Sequence, residues 1–346
     1  MKDFNTCYCD KDIRIVVTSL SLFKSPLIRY ILKRVLLSIP LIFGIIVVNF
    51  SIVHLAPGDP VQMYIGEVTP SPEYVQMIRE RFGLDKPLYV QLFAYIESIL
   101  SGDLGYSFAF AMPVVTLIFE KVSATILLIV TAIIFACLMG VTMGAVSAIR
   151  KHSLSDNVIM FLALAAYSIP QFWLGMLLIL LFSFVFPIFP TGGITSLTGV
   201  TGINYAIDVL YHLFLPALTL SVWYLAIITR LTRSNMIDVL SQNFITLARS
   251  IGLGEKTIIF KHVLRNALLP LVTIIGANLG FMLAGATLVE TVFSWPGLGR
   301  LMWESLSRRD YPVIMGLLLF SSIMVITCNI ITDIVYAFID PRIRYK

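Results

Sequence analysis

Long apolar runs alternate with shorter polar segments along this chain. Runs of about 18 or more residues with few charges are typical of transmembrane helices. The pattern predicts six membrane-spanning helices, at approximately Val35–Leu55, Val122–Ile149, Val158–Phe186, Leu213–Ile228, Leu268–Val289 and Val313–Phe338. The predicted fold class is therefore an all-α membrane protein with six transmembrane helices.

The polar segments predict how the rest of the chain is organised. Residues 1–28 form an N-terminal extension, and an insertion at about 56–112 follows the first span, which ends at "LAPGDP". Within that insertion, residues 73–100 carry charged and apolar positions at helical spacing, so we expect short amphipathic helices outside the lipid. A long segment at about 232–267 lies on the opposite side. Glycines at helical spacing, Gly140/Gly144 and Gly276/Gly280 with Ala284, predict close helix packing.

Composition supports a lipid environment. The 346 residues are 58% hydrophobic and only 13% charged, and the mean hydropathy is +0.89. Soluble domains have about 25% charged residues. A water-soluble globular protein is therefore excluded.

The net charge of +5 indicates orientation and not a nucleic-acid partner. Most Lys and Arg residues fall on one side of the predicted spans, including Lys24, Arg29, Lys33, Arg34 and Arg150. Cytoplasmic loops carry such an excess. Both termini are therefore predicted to be cytoplasmic, and we expect no nucleic-acid binding.

Four cysteines are too few and too scattered for a disulfide framework. Cys137 and Cys328 fall in predicted spans, and Cys7 and Cys9 lie in the N-terminal extension. A single C-x-C pair without a supporting histidine lacks the four ligands of a structural metal site. No metal site is predicted.

Polar residues inside the spans are candidates for a transport pathway, because burying them in lipid is costly. Tyr167, Gln171 and Trp173 flank Pro170, which should kink its helix, and Asn278 lies in the middle of the fifth span. An interhelical hydrogen bond is the alternative for each of these side chains.

The stretch "RSIGLGEKTIIFKHVLRNALLP", from Arg249 to Pro270, concentrates basic residues between two apolar runs. A phosphate-binding loop needs Gly directly before its Lys, but here Glu255 intervenes. A carboxylate at that position would repel a phosphate. We therefore expect no ATP hydrolysis by this chain, no cofactor bound to it, and no catalytic residues.

Read as a helix, the same stretch is amphipathic. Ile259, Val263 and Ala267 recur every four residues, while Lys261 and Arg265 share another face. Because neighbouring like charges repel, we expect a partner, either anionic membrane lipid or an acidic groove of another protein. The candidate residues of this segment are Ala248, Gly252, Gly254, Glu255, Ile259, Lys261, Arg265 and Pro270.

This stretch resembles the cytoplasmic coupling loop of ABC-importer permeases, whose motif is approximately E-A-A-x-x-x-G followed by I-x-L-P. The chain has "TLARSIG", in which Ala248 and Gly252 match while Thr246 and Leu247 depart. Both these departures and the longer spacing to Pro270 are similar to the dipeptide/oligopeptide branch of the family. Other stretches of the chain resemble the same branch, namely "RYILKRVLLSIP", "FGLDKPLYVQ", "GDLGYSF", "VETVFSWPGLGRLMWESLSRRDYPVIMG" and "IDPRIRYK".

The resemblance covers residues from about 29 to 346 and implies the type I ABC-importer permease fold in a bacterial or archaeal plasma (inner) membrane. It implies a second homologous permease subunit, two ATPase subunits that hold ATP and Mg, and an extracytoplasmic substrate-binding protein. It also implies that the basic segment transmits ATPase movement to the spans.

The resemblance implies uptake of di- or oligopeptides or a peptide-like solute. Nickel or another metal chelate, glutathione or a different small solute is the alternative within the family. An ion-coupled secondary transporter is the alternative outside it, but such a transporter should have inverted repeats and a membrane-embedded carboxylate cluster. Neither is evident in the sequence.

Overall fold

The computed structural model of the chain describes residues 26–55, 85–107, 109–196 and 201–339, together with residues 73, 76 and 77. The described residues are mostly helical. The helices are α1 Pro26–Leu55, α2 Leu88–Leu100, α3 Val114–Ile149, α4 Leu154–Ser168, α5 Gln171–Ile179, α6 Ile203–Leu240, α7 Asn243–Ser250, α8 Glu255–Thr257, α9 Leu264–Val292, α10 Leu298–Arg308 and α11 Tyr311–Ile339. Two π-helical segments continue α5 (Leu180–Val185) and join α8 to α9 (Ile258–Val263).

Five helical runs are long and apolar enough to cross a membrane: α1, α3, α6, the run from α8 into α9, and α11. A sixth span consists of α4 and the run Gln171–Val185, which are bent by 101° relative to each other. The six predicted spans are confirmed when this pair is counted as one. The bend has a local cause, because Pro170 has no N–H to donate and forces Ile169 into an extended conformation.

Helix α6 is longer than the sequence predicted. It contains 38 residues, or about 57 Å at 1.5 Å per residue, whereas the hydrocarbon core of a bilayer is about 30 Å thick. The predicted cytoplasmic segment at 232–267 therefore shares residues with two long helices. Its first part, to Leu240, is helix α6 continuing beyond the lipid, and its last part from Leu264 is already helix α9.

The two glycine pairs are helix-packing positions, as predicted. A Cβ on Gly140 would lie 2.8 Å from the Ile228 side chain of α6, and one on Gly276 would overlap the Thr332 side chain of α11. Gly280 faces Val325 in the same way. These close approaches hold α3 against α6 and α9 against α11.

Replacing Gly144 with Ala tests this packing. A Cβ there would lie 2.6 Å from the backbone oxygen of Thr229, and backbone cannot move aside as a flexible side chain would. We expect the overpacked variant to lose about 1–3 kcal/mol of stability, measured as a lower thermal midpoint in detergent. The control is Gly44→Ala, because nothing lies within 4 Å of a Cβ at Gly44. Equal midpoints for the two variants would contradict the packing.

The ends of the described chain lie at one membrane face. Arg34, near the start of α1, pairs through Nη1 with Oδ2 of Asp333, near the end of α11, at 3.1 Å. This contact brings the beginning of α1 beside the end of α11, as a topology with both termini on one side requires. The N-terminal residues 1–25, including Cys7 and Cys9, lie outside the described residues.

The segments on the opposite face are short and partly helical. Helix α2 is a helix where one was expected within residues 73–100, although it is mostly apolar. Most of residues 73–84 lie outside the described residues. Strands β1 (Tyr106–Ser107) and β2 (Met112–Pro113) form an antiparallel hairpin that leads directly into α3. Helix α10 follows the loop after α9 and completes this outer layer.

Candidate functional site

The cytoplasmic segment consists of α7, a tight turn and the start of the α8–α9 run. Gly252 has a φ of +82°, a left-handed conformation that glycine adopts without strain. Its N–H donates to the Arg249 oxygen at 3.0 Å, and the Leu253 N–H donates to the Ala248 oxygen at 3.2 Å, which closes the C-terminus of α7. Gly254 has an ordinary φ of −65°, so only Gly252 needs to be glycine for backbone reasons.

An ion pair that the sequence analysis missed spans this turn. Arg249 Nε donates to Glu255 Oε1 at 2.8 Å, and Nη2 donates to Oε2 at 3.4 Å. Glu255 raises the pKa of the Arg249 guanidinium. Both side chains are exposed, so solvent screens the attraction between their charges. Its effect is to hold the first turn of α8 against the end of α7.

Beneath the turn lies the cytoplasmic cluster, a set of buried apolar side chains that joins the segment to the ends of α3 and α6. Its members are Ala148, Met236, Val239, Ile245, Ala248, Ile258, Val263 and Ala267. Ile259 packs against this cluster while remaining partly exposed.

The predicted apolar stripe Ile259, Val263 and Ala267 therefore faces the chain's own interior, and its interpretation as a docking face needs correction. The apolar period reflects packing within the molecule, because the helix continues directly into the span α9 and packs on α6. The side chains that do face outward are Leu247, Ile251 and Phe260, at 63%, 69% and 68% exposure. Lys261 and Arg265 are exposed beside them, and Pro270 is exposed within α9.

The second candidate site is a cavity of about 490 Å³ at the bend between α4 and α5. Three of the four predicted pathway residues, Tyr167, Gln171 and Asn278, line it together. The fourth, Trp173, does not line it and is 48% exposed. The full lining consists of Tyr167, Ser168, Ile169, Pro170, Gln171, Trp223, Tyr224 and Asn278.

Trp223 and Tyr224 of α6 are the lining residues that sequence reasoning missed. Their signal is weak, because aromatic residues are common in membrane spans. The Trp223 ring stacks on the Tyr167 ring with centroids 5.3 Å apart and meets Tyr224 edge-to-face at 4.9 Å. Stacked aromatic pairs contribute about 0.5–1.5 kcal/mol beyond their buried area, so this stack holds α4 against α6 at the bend.

The cavity offers neutral chemistry. None of the described residues that line it carries a charge. Asn278 uses Nδ2 to donate to the Ile274 oxygen of its own helix at 2.7 Å. The lining can therefore contact a solute through aromatic faces, phenol hydroxyls and amides. Within the described part of the chain, no group of three or more His, Cys, Asp or Glu side chains could hold a metal ion.

The loop between α9 and α10 is held by a buried carboxylate, Glu290, which is fully shielded from solvent. Its Oε1 accepts from Thr125 Oγ1 at 2.7 Å, and its Oε2 accepts from the N–H groups of Gly299 at 2.7 Å and Arg300 at 3.1 Å. The same loop is fixed by Trp295, whose Nε1 donates to the Ala124 oxygen at 2.9 Å. We name the loop together with α10 the outer cap.

Comparison with known proteins places this geometry in a family. Residues 140–345 match the model of the binding-protein-dependent transport system inner membrane component, and residues 27–129 match the model of its N-terminal part. The chain is 41% identical over 338 residues to the dipeptide transport system permease protein of Escherichia coli strain K12, which covers 92% of this chain and all of the relative.

Two further relatives are similar over almost their whole length. The oligopeptide transport system permease protein of Bacillus subtilis strain 168 is 41% identical over 317 residues, covering 91% of this chain and 99% of the relative. A glutathione transport system permease protein of Escherichia coli O6:H1 is 38% identical over 320 residues, covering 92% and 100%.

A solved structure shows the same fold. An inward-facing conformation of the MetNI methionine ABC transporter matches with a TM-score of 0.54 at 16% identity, covering 65% of this chain and 97% of that one. The six-span architecture, the two family models and the long, similar relatives agree: this chain belongs to the family of binding-protein-dependent transport system inner membrane components.

Proposed function

We propose that the chain is a permease subunit of an ATP-driven ABC importer and forms half of a membrane pathway for di- and oligopeptides. The observation that carries the proposal is the 41% identity to a dipeptide permease protein over that protein's entire length. As a member of an inner-membrane family with several apolar helices, the chain is a multi-pass membrane protein and not itself an enzyme.

The remaining components of such an importer are part of the proposal. A second homologous permease subunit completes the pathway, two ATPase subunits with ATP and Mg bind on the cytoplasmic side, and an extracytoplasmic binding protein delivers the solute. The cytoplasmic segment is the proposed contact with an ATPase subunit. Its outward-facing Leu247, Ile251 and Phe260 supply apolar surface, and the exposed Lys261 and Arg265 supply charge around it.

The cavity at the α4–α5 bend is the proposed stretch of the pathway. A peptide importer must pass many side chains that share only amide groups and chain ends. Aromatic faces and neutral hydrogen-bonding groups contact such solutes without selecting a charge. The proposed pathway residues that line the cavity are Tyr167, Gln171 and Asn278, together with Trp223 and Tyr224. Trp173 lies outside this lining, and its place on the pathway stays a prediction.

Glutathione is the second candidate solute. It is favoured by the relative described as a glutathione transport system permease, at 38% identity over its full length. Glutathione is itself a tripeptide, so the neutral cavity suits it equally. The two candidates differ in the solute that the binding protein delivers.

Reconstitution tests the proposal. The chain is placed in proteoliposomes with its partner permease, ATPase subunits and binding protein, and uptake of a labelled dipeptide and of labelled glutathione is measured with and without ATP. We expect ATP-dependent dipeptide uptake, and no ATP turnover by the purified chain alone. Uptake driven by an ion gradient in the absence of the ATPase subunits would contradict the importer. ATP-driven uptake of glutathione but of no other peptide would replace the substrate class.

A further inference from the structure

One buried ion pair lies near the cytoplasmic ends of the spans and belongs to neither candidate site. Asp156, whose side chain is 2% exposed, accepts from Arg233 through both oxygens, at 2.7 Å from Nε and 2.8 Å from Nη2. It also accepts from the Ser147 hydroxyl and, at 2.9 Å, from the His152 N–H. A carboxylate with four donors is fixed in both position and orientation.

These contacts join three helices. Ser147 is in the last turn of α3, His152 is in the turn that follows, Asp156 is in the first turn of α4, and Arg233 is near the cytoplasmic end of α6. The start of α4 is additionally capped, because Ser153 Oγ accepts from the Asp156 N–H at 3.3 Å. The ion pair is therefore a fixed point between the cytoplasmic ends of α4 and α6.

On one side, this point is attached to the cytoplasmic segment. Met236 and Val239, within two turns after Arg233, are buried in the cytoplasmic cluster together with Ile245 and Ile258. Asn235 Nδ2 donates to the Ala267 oxygen of α9 at 3.0 Å. The end of α6 must consequently follow any displacement of the segment, because packed apolar interiors have low compressibility.

On the other side, the point is attached to the cavity. Tyr167 lies on α4 about three helical turns after Asp156, and an unbroken helix connects the two. Beyond Tyr167 the span bends at Pro170, so no continuous helix ties α4 to α5. A shift at Asp156 therefore displaces Tyr167 and its stack on Trp223.

We infer that the Asp156–Arg233 pair is the mechanical link by which displacement of the cytoplasmic segment is transmitted through α4 to the Tyr167 wall of the cavity. Asp156 and Arg233 are positioning residues, because neither touches the cavity. The inference rests on the proposed function, since it assumes that the segment is moved by an ATPase. Two parallel hydrogen bonds between planar groups transmit rotation as well as translation, which a single ammonium contact does not.

The test is Arg233→Lys in the assembled transporter, which keeps the positive charge and loses the two-pronged contact. We expect ATP hydrolysis to continue while the number of peptides imported per ATP falls about tenfold, the scale of losing one charge-assisted hydrogen bond. Asp156→Asn should also lower the number of peptides imported per ATP. The matched control is Arg230→Lys, an exposed arginine one turn earlier on α6, for which the ratio should stay unchanged.

A second measurement does not depend on any solute. The four cysteines are replaced by Ser, and Leu164→Cys, at an exposed position on α4, carries an environment-sensitive fluorophore. Addition of ATP to the transporter complex should change the signal, and Arg233→Lys should reduce that change several-fold. If the variant lowers the yield of complex but leaves both the imported-per-ATP ratio and the fluorescence change per complex intact, the pair is only structural and the inference is wrong. An ATP-induced signal without peptide uptake by the unmodified transporter would instead count against the proposed substrate while supporting the link.

Discussion

Phe260→Asp is expected to remove the ATPase subunits from the purified transporter and to abolish ATP-driven uptake. Phe260 is exposed and follows the Arg249–Glu255 turn that orders the start of α8. A carboxylate buried without a partner at a protein interface costs about 3–5 kcal/mol, which lowers affinity by about 100-fold or more. Retention is measured by co-purification of the ATPase subunits, and uptake by transport of the labelled solute.

Two neighbouring residues serve as controls. Ile259→Asp should lower the thermal midpoint of the chain itself, because Ile259 packs on the cytoplasmic cluster, whereas Phe260→Asp should leave the midpoint unchanged. Lys261→Ala should weaken ATPase retention by about 1 kcal/mol or less, as expected for a solvated rim charge. If Lys261→Ala abolished retention and uptake while Phe260→Asp preserved both, anionic lipid headgroups and not an ATPase would be the partner of this segment.

Glu290→Ala is expected to release the outer cap. The substitution leaves the N–H groups of Gly299 and Arg300 and the Thr125 hydroxyl without their acceptor, and each buried unsatisfied group costs about 1–3 kcal/mol. These losses all oppose the docking of the short helix α10. We expect a lower thermal midpoint and faster tryptic cleavage at Arg308 and Arg309, applied from the outer side.

Glu304→Ala is the matched control for the outer cap. Glu304 pairs with Arg300 at 2.8 Å, but both side chains are about one-third exposed, so its loss should cost less than about 1 kcal/mol. Cleavage of the Glu290 variant at the same rate as the Glu304 variant would show that the carboxylate does not hold the cap.

The spans could be predicted because lipid imposes one local requirement, a long apolar run. The ends of the spans could not be predicted. Helix α6 continues to Leu240 through polar residues that would be equally common in a water-exposed loop. The bend at Pro170 could be predicted, because the missing N–H of proline and the restricted conformation of the residue before it are local effects. The bend angle of 101° depends on how α4 and α5 pack against α6, and no local pattern encodes it.

The candidate sites show the same division. Tyr167, Gln171 and Asn278 could be selected individually, because polar groups in apolar spans are costly. Trp223 could not, because an aromatic ring in a span needs no special reason. The stripe that includes Ile259 is part of an amphipathic helix, as the sequence predicts. The spacing of its apolar residues does not reveal whether they pack against another protein or against the same chain. The Asp156–Arg233 pair escaped notice because 77 residues separate its members.

The outer cap also constrains the order in which the molecule is made. Glu290 depends on Thr125, 165 residues earlier, and Trp295 depends on Ala124, 171 residues earlier. During synthesis, more than half of the chain that follows the outer end of α3 must therefore be made before these contacts can form. The Glu290 carboxylate must also cross the bilayer before it is paired. Closing contacts over such separations carries a large entropic cost until the intervening helices are in place. Assembly of the cap is thus a late step of folding, because its contacts with α3 cannot form until α9 is in place beside that helix.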